Sequence, residues 1–119
     1  MSELISFVHI VPKPGVDAEG ELEPLLHEFV AGSKEKDAPG SVPSYRYYRG
    51  EDGTYRVYER YASSEAFLAH AEQMDPSLVE RLTALADLPE IEVLGDPTPE
   101  AKAAYEAFGA TFRTLVVGV

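Results

Sequence analysis

From Leu4 to Val11 the chain alternates Ile5, Phe7, His9 and Val11 with Leu4, Ser6, Val8 and Ile10, so both faces of an extended segment are largely apolar. Such a strand is covered on both sides. Pro12, Pro14 and Gly15 end it, and Leu22, Leu25, Leu26, Phe29 and Val30 then recur at helical spacing. This predicts an amphipathic helix that starts between Asp17 and Glu23, takes Pro24 in its first turn, and stops before Ala38-Pro39-Gly40. Ser44 to Arg49 and Tyr55 to Tyr61 are tyrosine-rich runs joined by Gly50-Glu51-Asp52-Gly53, the pattern of a β-hairpin with a short loop. Ser63 or Ser64 is placed to cap a second helix with Phe67, His70, Ala71 and Met74 on its inner face. Asp75-Pro76 interrupts that helix, and Leu78, Val79, Leu82, Leu85 and Ala86 resume the period. Asp87 to Pro89 then reads as a turn into a strand from Ile91 to Leu94.

The resulting order, βαββαβ, is the ferredoxin-like α+β pattern, an antiparallel sheet with helices over one face. Residues 1–95 complete it. Beyond Gly95, Thr98 can cap a short helix that begins at Pro99 and runs over Glu100 to Ala107, and Phe112 to Val117 has the composition of a strand. Phe108, Phe112, Leu115, Val116 and Val117 together carry more apolar surface than a free terminus leaves exposed. The tail, 96–119, therefore belongs to the same domain and either joins a sheet edge or packs on a partner subunit, the second being the expectation.

Composition narrows the partners. The 119 residues hold 10 Lys plus Arg against 21 Asp plus Glu, a net charge of −11 that repels phosphate backbones, so neither nucleic acid nor an anionic membrane is an expected partner. Hydrophobic and charged fractions of 45% and 26% are those of ordinary globular domains and exclude general disorder. There is no cysteine, which removes disulfides, thiolate metal sites and a cysteine nucleophile. The first eleven residues lack the form of a signal peptide and no stretch is long enough to span a bilayer, so a cytoplasmic location is expected.

Glu59-Arg60-Tyr61, followed by Ser64, Ala66-Phe67 and His70, resembles the Glu-x-(Trp/Tyr)…Ala-(Phe/Leu)-x-x-His signature of the antibiotic biosynthesis monooxygenase superfamily. The strand Leu4 to Val11 leading into Pro14-Gly15, and Gly40 and Tyr45 opening the next strand, extend the resemblance over about residues 4–95. It implies a dimeric α+β barrel, a homodimer formed sheet against sheet, with a small pocket between helices and sheet. In that pocket some members oxidise phenols or quinols with O2 and need no metal or flavin, so no cofactor is expected. Other members degrade haem or isomerise small compounds. This chain has neither Trp nor Asn, which several oxygenating and haem-degrading members place at the pocket, and Glu80 stands where the latter carry their axial histidine. Haem degradation is not expected.

His70 lies on an apolar helix face, where a partly desolvated imidazole is suited to moving a phenolic proton. Glu59 and Tyr61 project to one side of their strand, and a buried Glu59 requires a partner, which His70 or an arginine would supply. His70, Tyr61 and Glu59 are the candidate catalytic residues. His9, Phe7, Tyr45, Tyr47, Phe67 and Met74 are the candidate substrate-binding residues, since six of the seven tyrosines lie between Tyr45 and Tyr61 and their rings suit both planar ligands and interfaces. His9, His27 and His70 are scattered with no ligand spacing between them, so no metal is expected, and no glycine-rich phosphate loop is present. The expected function is cofactor-independent monooxygenation of a small aromatic molecule. The alternatives are an isomerase-type member, or a ligand-binding or structural homodimer without turnover. The deciding observation is whether the space between helices and sheet is open or filled by side chains, and a filled space ends the enzyme reading.

Overall fold

The computed structural model describes residues 2–118. Strands β1 (Leu4–Pro12), β2 (Ser44–Arg49), β3 (Tyr55–Tyr61), β4 (Ala86–Leu94) and β5 (Thr111–Arg113) form one sheet in the order β2-β3-β1-β4-β5. The first four are antiparallel to their neighbours, and β5 joins β4 in parallel. Helices α1 (Glu23–Lys36), α2 (Ser64–Gln73), α3 (Pro76–Leu85) and α4 (Pro99–Glu106) complete the α+β fold. The ferredoxin-like order expected from the sequence is present.

Capping explains the helix starts. Asp17 accepts from the Gly20 amide and opens a π-helical turn, Ala18–Leu22, that leads into α1, with Pro24 in the first turn of that helix. Ser63, Asp75 and Thr98 accept from the amides of Ala66, Ser77 and Ala101, so each of the remaining helices starts on a side-chain cap. Strand β4 is longer than the sequence pattern indicates, because Asp87 to Pro89 is extended rather than turned. Pro89 is accommodated by a register shift: His9 faces Glu90 but Val11 faces Asp87, which leaves an extra β4 residue outside the ladder.

The inward face of β1 carries Leu4, Ser6, Val8 and Ile10, and two apolar clusters pack over the sheet. One gathers Ile10, Leu22, Leu25, Leu26, Phe29, Tyr55, Leu82 and Ala86 beneath α1 and α3. The other gathers Leu4, Tyr61, Phe67, Val93, Ala101 and Tyr105 beneath α2 and α4. The segment after Gly95 thus contributes to this subunit's own core: Ala101 is fully buried, Tyr105 stacks on Phe67 at 3.8 Å, and β5 extends the subunit's own sheet. Of the tail's apolar residues, Phe108, Leu115, Val116 and Val117 are exposed, whereas Phe112 packs against the second cluster. No layer of the described residues lies over the other face of the sheet, which carries Phe7, His9, Arg46, Tyr48, Arg56, Tyr58, Glu90 and Glu92.

Candidate active site

Between the two apolar clusters the inward face turns polar. Ser6 is the polar member of the β1 inward row, and its hydroxyl donates to Glu59 Oε2 at 3.0 Å. The Tyr61 hydroxyl donates to Glu59 Oε1 at 2.8 Å, so both carboxylate oxygens are engaged. Burial pushes the Glu59 carboxyl above its ordinary range, against the opposing pull of Tyr61, His70 and Ser6. Burial also drives the Tyr61 phenol well above its usual value, with the Glu59 charge adding to the effect, so Tyr61 stays protonated and acts as a donor. Tyr45 and Tyr47 project inward together on β2, hydroxyl to hydroxyl at 2.7 Å, and burial raises both phenols as well.

His70, on α2, is 3% exposed, and its ring lies 5.4 Å from those of both Tyr45 and Tyr61. Its partner is Asp37, not Glu59. Nδ1 stands 2.7 Å from Asp37 Oδ2, and because a carboxylate only accepts, Nδ1 carries the proton. Asp37 also accepts from Gln73 Nε2 at 2.9 Å and from the Ser33 hydroxyl. It is the residue at which the chain leaves α1 in an extended conformation, which turns its side chain back toward α2. The opposite ring nitrogen, His70 Nε2, is buried with no hydrogen-bond partner among the described residues, as is the hydroxyl of Ser44. A buried polar atom without a partner is costly unless a ligand uses it.

The sheet divides the candidate residues. His70, Glu59, Tyr61, Tyr45, Tyr47, Phe67 and Met74 share the helix side, where Phe67 packs edge-on against Tyr61 and Met74 borders His70. Phe7 and His9 lie on the opposite face, beside Tyr58 and Arg56, and do not join them. Asp37, Ser6, Gln73 and Tyr105 were not visible as site residues in the sequence. A serine in an otherwise apolar inward row marks Ser6, whereas Asp37 sits in Lys34-Glu35-Lys36-Asp37, which reads as a solvated helix end.

The space beside His70, lined also by Phe29, Ser33, Gln73 and Met74, is only about 20 Å³, room for a water and no more. Two larger grooves flank the 38–43 loop: one of about 880 Å³ against α2 and one of about 310 Å³ against the start of β2. Asp37 lines both. Among the described residues no three His, Asp or Glu side chains converge as metal ligands do.

No family model and no curated protein matches the chain. Solved structures do. MupZ from Pseudomonas fluorescens superposes with a TM-score of 0.84 at 12% identity, over 100% of this chain and 94% of its own. A candidate antibiotic biosynthesis monooxygenase from Caulobacter crescentus gives 0.67 at 22% identity, over 81% and 91%. Rv0793 from Mycobacterium tuberculosis gives 0.62 at 24%, over 82% and 97%. The latter two leave about a fifth of this chain unmatched, the length of the segment after Gly95, while the superposition on MupZ spans the whole of this chain. These are likenesses of fold, and in fold the chain is one of the ferredoxin-like α+β proteins that include the antibiotic biosynthesis monooxygenases.

Proposed function

We propose that this chain is a cofactor-independent monooxygenase of a small planar phenol or quinol, with His70 as its base. The observation that carries the reading is the buried Asp37–His70 pair with Nε2 left unpaired. Asp37 fixes the tautomer, so the lone pair on Nε2 is the one able to take a phenolic proton. The phenolate so formed is electron-rich enough to react with O2. For a substrate with a ring methylene conjugated to that oxygen, the methylene becomes a carbonyl. One oxygen atom ends there and the other leaves as water with the two methylene hydrogens, so no outside reductant is needed. Tyr61, held protonated, donates to Glu59 and lines the wall rather than serving as base. Access requires that the 38–43 loop move, since the grooves on its two sides meet at Asp37 and the space beside His70 is too small for a ring. The open sheet face is read as the surface on which a second copy packs.

The space beside His70 is filled, the outcome set to end the enzyme reading, so the monooxygenase stands only if movement of the 38–43 loop opens it; the filled space itself favours a second reading, a homodimer that binds a ligand without turning it over. Oxygen consumption with a panel of anthrones, naphthols and hydroquinones separates the two. The monooxygenase reading expects uptake of one O2 per substrate that falls at least about 100-fold in His70→Ala. No uptake with any of the panel, together with a bound compound recovered unchanged, would establish the second reading instead.

A further inference from the structure

Glu59 is the buried titratable group to which the proposed reaction gives no task. It lies in one row across the inward face of the sheet, with Tyr45 opposite it on β2 and Ser6 opposite it on β1. Tyr61 stands two residues on along β3, His70 of α2 packs over the rings of Tyr45 and Tyr61, and Tyr105 of α4 approaches from the Ser6 side. None of these neighbours carries a fixed positive charge, and among the described residues no lysine or arginine pairs with Glu59. An ionised carboxylate would stand uncompensated here, and burying such a charge costs enough that the group keeps its proton instead. Burial raises the Glu59 carboxyl in that direction. Both of its contacts accommodate the proton. The separations of 3.0 Å from Ser6 and 2.8 Å from Tyr61 suit a hydrogen bond in either direction, since a hydroxyl both donates and accepts. With the proton on Oε1, Glu59 donates to the Tyr61 oxygen. The Tyr61 hydrogen is then free for an acceptor beside His70, whose ring stands 5.4 Å from that of Tyr61.

We infer that Glu59 is the proton reserve of the site, supplying through Tyr61 the proton that the departing oxygen atom takes. The inference rests on the monooxygenase reading and concerns its second half. His70 removes the phenolic proton, O2 adds to the ring carbon, and the proton on His70 passes to the outer oxygen. This leaves a hydroperoxide on a carbon that still bears one hydrogen. Completing the carbonyl breaks that C–H bond and the O–O bond together. The C–H electron pair becomes the second bond of C=O, the C–H proton goes to His70 Nε2, and the O–O pair leaves on the outer OH. Hydroxide is a poor leaving group in a site closed to water, whereas protonated by Tyr61 it leaves as water, and Tyr61 takes the proton of Glu59 in its place. His70 then holds one proton more than at the start and Glu59 one fewer. Transfer between them resets the pair, so no outside acid or reductant is consumed. Glu59 touches no reacting atom in these steps and acts only by keeping Tyr61 a donor.

Glu59→Gln keeps the size of the side chain and can still bond to Ser6 and Tyr61, but has no proton to give; circular dichroism checks that it folds. With an anthrone that the wild type oxidises, its initial O2 uptake is expected to stay within about threefold of wild type while carbonyl formation slows about 100-fold. The hydroperoxide then accumulates and is measured as the alcohol it becomes on reduction with a phosphine. Tyr61→Phe is expected to do the same, and the double variant to be no slower than either alone, because the two groups act in one relay. A difference infrared spectrum between wild type and Glu59→Gln at neutral pH is expected to show the carbonyl stretch of an un-ionised carboxyl. Carboxylate bands alone at that pH, or variants in which uptake and carbonyl formation stay locked together, overturn this inference and leave the monooxygenase standing. A wild-type protein that takes up no O2 with any of the panel overturns both.

Discussion

Asp37 and His70 form a buried polar pair, their side chains 7% and 3% exposed, and removing one leaves several groups without partners. Asp37→Ala strands His70 Nδ1, Gln73 Nε2 and the Ser33 hydroxyl, and is expected to cost about 3 kcal/mol in urea unfolding. Asp37→Asn keeps the shape but lets the amide impose the other imidazole tautomer. If His70 is the base, kcat for oxygen uptake falls about 10- to 100-fold with little change in KM. Glu59 and Glu23 give pH dependences of opposite sign. Burial raises Glu59 above 4.5, so folding binds its proton more tightly than the unfolded chain does; that contribution is complete below pH 4.5 and is lost as pH rises through the folded value. The stability of Glu59→Gln relative to wild type is therefore expected to improve from pH ~4 to ~8. Glu23, held at about 2 by hydrogen bonds from Arg49 and Tyr55, contributes above pH 4.5 and loses that contribution as pH falls toward 2. Glu23→Gln is expected to differ most from wild type near neutrality and least in acid, by thermal unfolding across the same buffers.

At the scale of elements, α4 decides what the segment after Gly95 is. Its Tyr105 lies flat on Phe67 of α2, and Ala101 and Tyr105 sit in one cluster with Leu4, Tyr61 and Val93. Tyr105→Ala is expected to lower the stability of the subunit by about 3 kcal/mol, independently of protein concentration. A cost that grew on dilution would instead mean that this helix is held by a partner. The sequence pattern resolved the hairpin and the capped helices because each has a local cause, such as the Gly50 to Gly53 turn or the Ser63 and Thr98 caps. It did not resolve the extended path of Asp87 to Pro89, because the strand there depends on a bulge against β1 that only the neighbouring strand creates. The site divides in the same way. Glu59, Tyr61 and His70 follow from alternation and helical period. The Asp37–His70 contact spans 33 positions and depends on the angle at which the chain leaves α1, which no periodicity encodes.

At the scale of the molecule, two surfaces of the described residues lie uncovered, the mixed aromatic and charged open face of the sheet and the apolar end of the tail. Leu115, Val116 and Val117 are 74, 92 and 86% exposed, three apolar side chains presented side by side. Cutting the chain after Gly95 would not isolate their role, since it removes α4 from the core and β5 from the sheet. Ending it after Arg113 does, because β5 and its pairing with Leu94 are kept. If these residues pack on a second copy, each contributes up to about 1.5–3 kcal/mol of burial less the cost of ordering the arm. The shortened protein is then expected to unfold at an unchanged midpoint at low concentration, while its self-association in sedimentation weakens at least about tenfold. The same association constant for both lengths would mean that the arm adds nothing to the interface and that the sheet face alone holds the copies together.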